Sequence, residues 1–356
     1  MVRLVLRRLA QTGLAVWALA SVVFLLSYQD LDAALRLALP DATEATAGQG
    51  ASTATEQAAT RAALRRRLGL DLPLFYLSRT TDPQLDWVKW RWNGSRNQYH
   101  RWATGLLQGN WGTSFRTGQA VTARLGDALS FTLPLTGTAA LLAVLAALGL
   151  GQRLAGRPWW HRLLRASLVT LHALPLFVVA LALLLTLANP EVVAWFPAYG
   201  LSPAADVDEG AWSRIGKYVM HMALPVAALT LTALPELTLQ LSGALAQELR
   251  SNYATTARAK GLPERTVIRH HALRNALLPT LTQITELLPA LVAGAVVVEV
   301  VFALPGMGRL LADAAAARDY PVLVGGILLT GAARLCALLL ADLLYFWADP
   351  RIRWQS

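Results

Sequence analysis

Five ionisable residues lie inside long apolar stretches of this 356-residue chain, namely Glu236, Glu286, Glu299, Arg334 and Asp342. A charged group in a hydrocarbon-like environment is costly, so each of them is a candidate for a functional site, although an ion pair inside a helix bundle would also account for it. Glu286 and Glu299 would face directions roughly 140° apart on one helix, so they do not predict a shared site. Glu299 falls near the outer end of its stretch, where solvation is the simpler interpretation, and Arg334 could pair with a carboxylate inside the bundle.

The residue patterns of common enzymatic sites do not occur in the sequence. There is no Gly-x-x-x-x-Gly-Lys-Ser/Thr phosphate loop, so we do not expect this chain to hydrolyse ATP. There is also no nucleophile elbow and no His-Glu-x-x-His motif. His270 and His271 are adjacent and would point apart on a helix, and the single cysteine, Cys336, is expected to be a packed apolar side chain. We therefore predict no catalytic residue, no metal site and no cofactor.

The segment 253–279 combines basic and apolar residues around a helix-breaking sequence, Lys260-Gly-Leu-Pro263. Alanine-rich residues up to Lys260 favour a helix, Gly261 suits the position that ends it, and Pro263 suits the first turn of the next helix. A short amphipathic helix of this kind could dock in the groove of a partner protein or lie on anionic lipid. The residues alone leave both uses open.

The elements that must position these residues are membrane helices. Hydrophobic residues make up 55% of the chain and charged residues only 15%, whereas a soluble domain has about a quarter charged residues. Several apolar stretches reach the length of about 20 residues that crosses a bilayer. We predict an all-α polytopic bundle with six transmembrane helices, at about 9–28, 130–151, 166–188, 218–242, 283–303 and 322–347.

The first of these helices overlaps a segment that resembles a secretory signal peptide. Its apolar run continues past the cleavage-like Ala18-Leu-Ala20 to Leu26, so an uncleaved transmembrane helix is the preferred interpretation. Pro225 and Pro235 fall inside the fourth predicted helix, and a bundle tolerates such kinks because neighbouring helices satisfy the freed backbone groups.

The distribution of Lys and Arg predicts the orientation. With both termini in the cytoplasm, the inner segments hold fifteen Lys and Arg residues and the two short outer loops hold four, as the positive-inside rule requires. The same rule accounts for the net charge of +10. Nucleic-acid binding is not expected, because no basic stripe lies on a soluble domain.

The predicted organisation has three parts: an N-terminal helix (1–28), an extracytoplasmic segment (29–129) and a core domain (130–356) with a cytoplasmic loop at 243–281. Within the outer segment, residues 41–60 have a flexible composition and residues 61–127 a structured one. The aromatic and basic run 87–92, with Trp102, predicts either a ligand-contacting surface or an aromatic belt at the membrane surface.

The segment 253–279 resembles the EAA loop of ABC-importer permeases, in the form found in the dipeptide, oligopeptide and nickel group. Ala257 and Gly261 match the second alanine and the glycine of that motif, and Thr255 stands at its glutamate position. Further similar stretches are 68–73, 109–115, 294–309, 318–322, 342–345 and 349–353. The resemblance covers most of the chain, fits the B-type subunit, and fails at 29–60 and 76–102.

The resemblance implies a type I ABC-importer fold in a bacterial inner membrane. It also implies four kinds of partner: a second homologous permease subunit, two ATPase subunits that use the ATP, an extracytoplasmic solute-binding protein and the lipid bilayer. A coupling helix at about 258–270 would enter the ATPase and drive alternating access. The implied coupling residues are Ala257, Arg258, Lys260, Gly261, Arg265 and Arg269. Peptides are the substrate that the resemblance favours, with nickel, glutathione and other small solutes as alternatives.

Two other classes of protein are alternatives to an ABC permease. A secondary transporter or channel acting alone would show inverted repeats and broken helices at its binding site, and the sequence shows no convincing repeat. A membrane enzyme would need one of the missing catalytic motifs. Neither class explains the ordered motif at 253–279.

Overall fold

The computed structural model of the chain describes residues 2–29, 71–81, 88–155, 160–198, 200 and 211–348. Labelled in chain order, its elements are α1 (Val2–Gln29), β1 (Leu77–Thr81), β2 (Val88–Trp92), α2 (Gln98–Leu107), α3 (Val121–Ala155), α4 (Trp160–His172), α5 (Leu176–Leu187), α6 (Ala211–Glu248), α7 (Asn252–Ala259), α8 (Glu264–Thr266), a π-helix (Val267–Ala272), α9 (Leu273–Val301), α10 (Met307–Ala316) and α11 (Tyr320–Ala348). The predicted helical architecture is confirmed, with one small sheet added to it.

Four of these helices, α1, α3, α6 and α11, contain stretches long and apolar enough to cross a membrane. Their apolar stretches are only 11% to 50% buried inside the chain. Large apolar side chains therefore face outward, which is favourable where the surrounding solvent is lipid. The first, second, fourth and sixth predicted spans lie within these helices, and Pro134, Pro225 and Pro235 are accommodated inside them.

The third predicted span, 166–188, is wrong as a continuous helix. The chain forms α4 and α5 instead, which are bent by 104° at the break between them. Pro175 caps α5 with extended backbone angles (φ −59°, ψ 143°). Proline has no N–H to continue the helical ladder and also disfavours a helical residue before it, so α4 ends before Pro175.

The count of six spans is not confirmed in the described residues, where four helices qualify, or five if the bent pair forms one span. The fifth predicted span, 283–303, lies in α9 and is helical almost throughout. Its apolar stretch, Ala290–Val301, is shorter than a membrane span.

The described chain divides into two compact units, and the first comprises Met1–Gly126 with Asp313–Ala332. Its core joins α1, α2 and α11 through buried Phe24, Val324 and neighbouring aromatic rings. The ring of Trp102 stacks on Phe24 with centroids 4.7 Å apart, and Nε1 of Trp17 donates a hydrogen bond to the Tyr99 hydroxyl at 3.0 Å. Trp102 therefore packs against the core of this unit and also lines a cavity of about 450 Å³ in it, so its interpretation as a ligand-contacting residue stays a prediction.

A two-stranded antiparallel sheet in the same unit pairs Leu77 with Trp92 and Thr81 with Val88. Trp90 and Trp92 on β2 are 70% and 68% exposed. Both interpretations of the aromatic run 87–92 thus remain open for these two side chains, while Trp87 lies outside the described residues.

The second unit comprises Asp127–Ala312 with Ala333–Ser356. Helices α3, α5, α6 and α9 pack through small buried residues, among them Ala139, Ala143, Ala180 and Ala295. A Cβ at Gly294 would lie 3.0 Å from the Leu176 side chain, so glycine permits the close approach of α5 and α9. Small residues bring membrane helices close enough for van der Waals contact along their length.

Candidate functional site

The loop between α6 and α9 is a folded helix–turn–helix. Helix α7 ends at Ala259, Gly261 adopts a left-handed φ of +79°, and Pro263 caps α8. The predicted order of helix, break and helix is confirmed, although Pro263 precedes the first helical turn and does not lie in it. Glycine reaches positive φ without the steric cost that a Cβ carries, which explains its place at the break.

An apolar base holds this loop on the ends of α6 and α9. The buried residues of the base are Leu241, Leu245, Leu249, Ala254, Ala257, Val267, Ile268, Ala272 and Ala276. Ala257 is buried in this base, so its small side chain serves packing within the chain. Thr255, at the glutamate position of the EAA motif, is exposed. The loop and the two long helices therefore form one packed body.

Arg258 spans the turn from α7 to α8. Its Nε donates to Oε2 of Glu264 at 2.9 Å, one terminal nitrogen donates to Oε1 of Glu264 at 2.7 Å, and the other donates to the Leu249 carbonyl at 2.9 Å. A bidentate guanidinium–carboxylate pair fixes orientation as well as distance. We therefore assign Arg258 to the turn and keep Lys260, Arg265 and Arg269, which are exposed, as candidates for contact with a partner.

The hydrogen bond from Arg258 holds the pKa of the Glu264 carboxyl below its ordinary value. A lowered pKa in the folded chain means that this pair stabilises the fold above the ordinary pKa of glutamate and that the stabilisation disappears as the pH falls through the lowered pKa. The side chains of Arg258 and Glu264 are 39% and 50% exposed. The pair is thus worth about 0.2–1 kcal/mol, and its value is constant around neutral pH.

Tyr253 and Asn275 add a second tie between the loop and its neighbouring helices. The Tyr253 hydroxyl donates to the Glu248 carboxylate and accepts a hydrogen bond from Nδ2 of Asn275 at 3.2 Å. Partial burial, together with the Glu248 carboxylate, raises the pKa of Tyr253. The phenol therefore stays protonated and remains the donor to Glu248 throughout the neutral range.

Glu299, a candidate pathway residue, is fully buried at the end of α9. Its Oε1 accepts a hydrogen bond from Oγ1 of Thr132 at 2.7 Å, and its Oε2 accepts one from the backbone N–H of Arg309 at 3.1 Å. The backbone N–H of Met307 donates to Oγ1 of Thr132 at 2.8 Å. The interpretation of Glu299 as a solvated residue is therefore wrong, because its carboxyl group is enclosed by α3 and the first turn of α10.

Two glycines allow the turn before α10 to pack closely against α9, one beside Glu299 and one beside Val296. A Cβ at Gly306 would lie 2.2 Å from the Glu299 carboxyl group, and a Cβ at Gly308 would lie 2.4 Å from the Cα of Val296. The run Gly306-Met-Gly308 is thus required by close packing of the turn onto α9. Sequence reasoning identified Glu299 and this run but missed Thr132, which no local pattern marks.

Glu286 lines a separate cavity of about 230 Å³ between α5, α6 and α9. The other polar residues of its lining are Thr232, Glu236 and Gln283, and the remainder is apolar. Glu236 and Glu286 are both exposed side chains, so two of the five ionisable residues that the sequence places in apolar stretches lie on the wall of this cavity. Arg334 is exposed and pairs with no carboxylate in the described part of the chain. Asp342 lies in α11, and its side chain is outside the described residues.

Asp319 joins two of the sequence motifs within the first unit. Its Oδ1 accepts a hydrogen bond from the Phe115 backbone N–H at 3.0 Å, and its Oδ2 pairs with Arg124 at 3.2 Å and accepts from the Ser114 hydroxyl. The carboxylate is almost fully buried. The stretches 109–115 and 318–322, which resembled a common family separately, thus form one structure, and Arg124 was not predicted to take part in it.

The chain matches the family described as binding-protein-dependent transport system inner membrane component over residues 129–354. It is 33% identical to the "Oligopeptide transport system permease protein AppB" of Bacillus subtilis, an alignment that covers 72% of this chain and 80% of that protein. It is 31% identical to the "Probable peptide ABC transporter permease protein y4tP" of Sinorhizobium fredii over 98% of this chain and 99% of that protein. It is also 31% identical to the "Probable D,D-dipeptide transport system permease protein DdpB" of Escherichia coli, over 81% and 83% of the two chains.

Among solved structures, a subunit of the MetNI methionine ABC transporter, crystallised in inward-facing conformations, has a similar fold. The TM-score is 0.51 at 16% identity, and the match covers 64% of this chain and 96% of that one. The family match and the named relatives define the class as an ABC transporter permease, and the solved structure shares its fold. The chain belongs to the family of binding-protein-dependent transport system inner membrane components, and it is a transport permease with several membrane helices.

Proposed function

We propose that this permease forms part of the translocation pathway for peptides or similar small solutes and couples it to separate ATPase subunits. The partners would be a second homologous permease, two ATP-binding cassette ATPases and an extracytoplasmic solute-binding protein, in a bacterial inner membrane with both termini of this chain cytoplasmic. The names of the relatives support peptides as the substrate class.

The observation that carries the proposal is the folded state of the loop between α6 and α9. Its apolar base continues into both long helices, and Arg258 with Glu264 fixes the turn. A loop packed in this way moves together with the helices on which it rests. A displacement of the loop by an ATPase would therefore tilt α6 and α9, which line the cavity that contains Glu286.

This geometry supports alternating access driven from the loop. ATP binding would close the ATPases and move the loop, and the two helices would open the cavity toward the outside. Hydrolysis would reverse the change. The ATPase can shift the equilibrium only by binding the two conformations with different affinity, so contacts at Lys260, Arg265 and Arg269 should differ between them.

The proposal is tested by co-expressing this chain with its candidate ATPases and second permease and purifying the complex through a tag on this chain. Arg265→Glu and Arg269→Glu should each reduce ATPase recovery, because a charge reversal in a contact replaces attraction by repulsion. Arg214→Glu is the matched control: it reverses the same charge at an exposed position on the other end of α6. It should leave recovery unchanged.

Equal recovery of the ATPases with all three variants would contradict the assigned contact surface. A chain that purifies alone and transports solute without ATP would overturn the proposal as a whole. In that case a secondary transporter or channel acting alone would be the better description.

A further inference from the structure

A second cavity, of about 950 Å³, lies beside the loop between α6 and α9, called the coupling loop below. Two of the arginines that line it, Arg265 and Arg269, are also candidates for contact with the ATPase. The cavity is lined by the end of α3, the start of α4 and the segment from α8 into the π-helix. Its charged and imidazole-bearing residues are Arg153, His161, Glu264, Arg265, Arg269 and His270. All of them belong to one compact unit of the chain.

The charge of this basic cavity is strongly unbalanced. Three guanidinium groups line it, and its one carboxylate, on Glu264, already accepts both hydrogen bonds from Arg258. In the described part of the chain no carboxylate pairs with Arg153, Arg265 or Arg269. Arginines that converge without an internal counter-ion form a site suited to an external anion, and the planar guanidinium matches the oxygens of a phosphate group.

The position of the basic cavity indicates where that anion comes from. Arg153 lies in the last turn of the membrane-crossing helix α3, so the cavity opens at the level where the hydrocarbon layer gives way to headgroups. Basic pockets between membrane helices on the cytoplasmic side are favourable sites for anionic headgroups.

We propose that the basic cavity binds the phosphate headgroup of an anionic phospholipid from the leaflet on the side of the coupling loop. Arg153 and Arg269 hold the headgroup from two different elements, the end of α3 and the π-helix. The bound lipid thereby links the loop to the membrane edge of α3. The cavity therefore adds contact with anionic lipid to the partner contact proposed for Arg265 and Arg269, and measuring lipid retention without the ATPase separates the two uses.

The test uses the purified full-length chain without partner subunits, so that its result is independent of ATPase coupling. Native mass spectrometry would count phosphatidylglycerol and phosphatidylcholine molecules retained by the chain. We expect preferential retention of phosphatidylglycerol, weakened about fivefold by Arg153→Gln and by Arg269→Gln, since each cation near the surface contributes on that scale. Arg153→Lys should restore part of the affinity because it keeps the charge but loses the planar fork.

Arg274→Gln is the matched control, because Arg274 is exposed near the same loop but does not line the cavity. Unchanged lipid retention in folded Arg153→Gln and Arg269→Gln chains would overturn the proposal. A loss of equal size in Arg274→Gln would overturn it too, since it would indicate that general surface charge retains the lipid.

Displacement of the lipid by millimolar inorganic phosphate would overturn the lipid assignment and assign the cavity to a soluble anion. Loss of ATPase binding by Arg153→Gln with normal lipid retention would assign it to an acidic segment of the partner.

Discussion

Glu299 and Gly306 constrain each other. The buried carboxyl group ties α9 to Thr132 of α3 and to the backbone at the start of α10, and it fits only because position 306 has no side chain. Removing an interaction partner from a buried polar group leaves that group unsatisfied, and adding a methyl group removes its space. Glu299, which the sequence marked as a candidate pathway residue, therefore holds α9 against α3 and the start of α10.

Gly306→Ala tests this arrangement. We expect the substitution to lower the free energy of unfolding by about 1–3 kcal/mol, because the new Cβ overlaps the carboxyl group and forces a shift in a packed region. Thermal unfolding of the purified chain in detergent would show a lower melting temperature.

The control is Gly137→Ala in α3, where a Cβ would meet nothing within 4 Å. Alanine is the better helix former, so this control should be neutral or slightly stabilising. An equal loss of stability in both variants would show that Gly306 has no special packing role.

At the scale of elements, the coupling loop depends on one residue with left-handed backbone. Gly261 has φ +79° and open space around the position of a Cβ, so the constraint on it is conformational and not steric crowding by neighbours. Arg258, Glu264 and the apolar base then hold the two short helices in place. The turn therefore combines a local backbone requirement with contacts from outside it.

Gly261→Ala should loosen the loop without unfolding the chain. An L-residue in the left-handed region costs about 1–2 kcal/mol, and hydrogen exchange of the amides in 252–272 should accelerate by about fivefold or more if they exchange through local opening. Gly261→Asn should show a smaller effect, because asparagine enters this region more readily than alanine. Equal exchange rates in the wild type and both variants would contradict a role for this backbone conformation.

At the scale of the whole molecule, the direction of the chain across the membrane determines which partners each loop can meet. The Lys and Arg distribution predicts that the turn after α5 is outside and the coupling loop inside. This orientation is required by the proposed function, since ATP and the ATPases are cytoplasmic. It stays a prediction that labelling can test.

Single cysteines at Glu191→Cys and Thr255→Cys, in a Cys336→Ala background, would report the orientation because both positions are exposed. A membrane-impermeant maleimide should label the Glu191→Cys chain in intact spheroplasts and the Thr255→Cys chain only in inverted vesicles. The Cys336→Ala chain alone supplies the unlabelled background. The reverse pattern would place the coupling loop outside and exclude ATPase docking there.

Local features made much of this protein predictable. The apolar stretches of α1, α3, α6 and α11 are long enough to indicate membrane helices on their own. The order of Lys260, Gly261 and Pro263 fixes a helix, a break and a new helix because each residue restricts its own backbone. The break in the third span was not predicted, because the apolar run around Pro175 is long enough to indicate one membrane helix.

Tertiary structure decided the environments of the charged residues. Glu299 is buried because Thr132 and the turn after α9 meet it, and Asp319 pairs with Arg124 although 195 residues separate them. Arg258 binds Glu264 only because the turn reverses the chain between them. Burial and pairing depend on groups that are distant in sequence or brought together by a turn, whereas helix formation and its limits depend on neighbours along the chain.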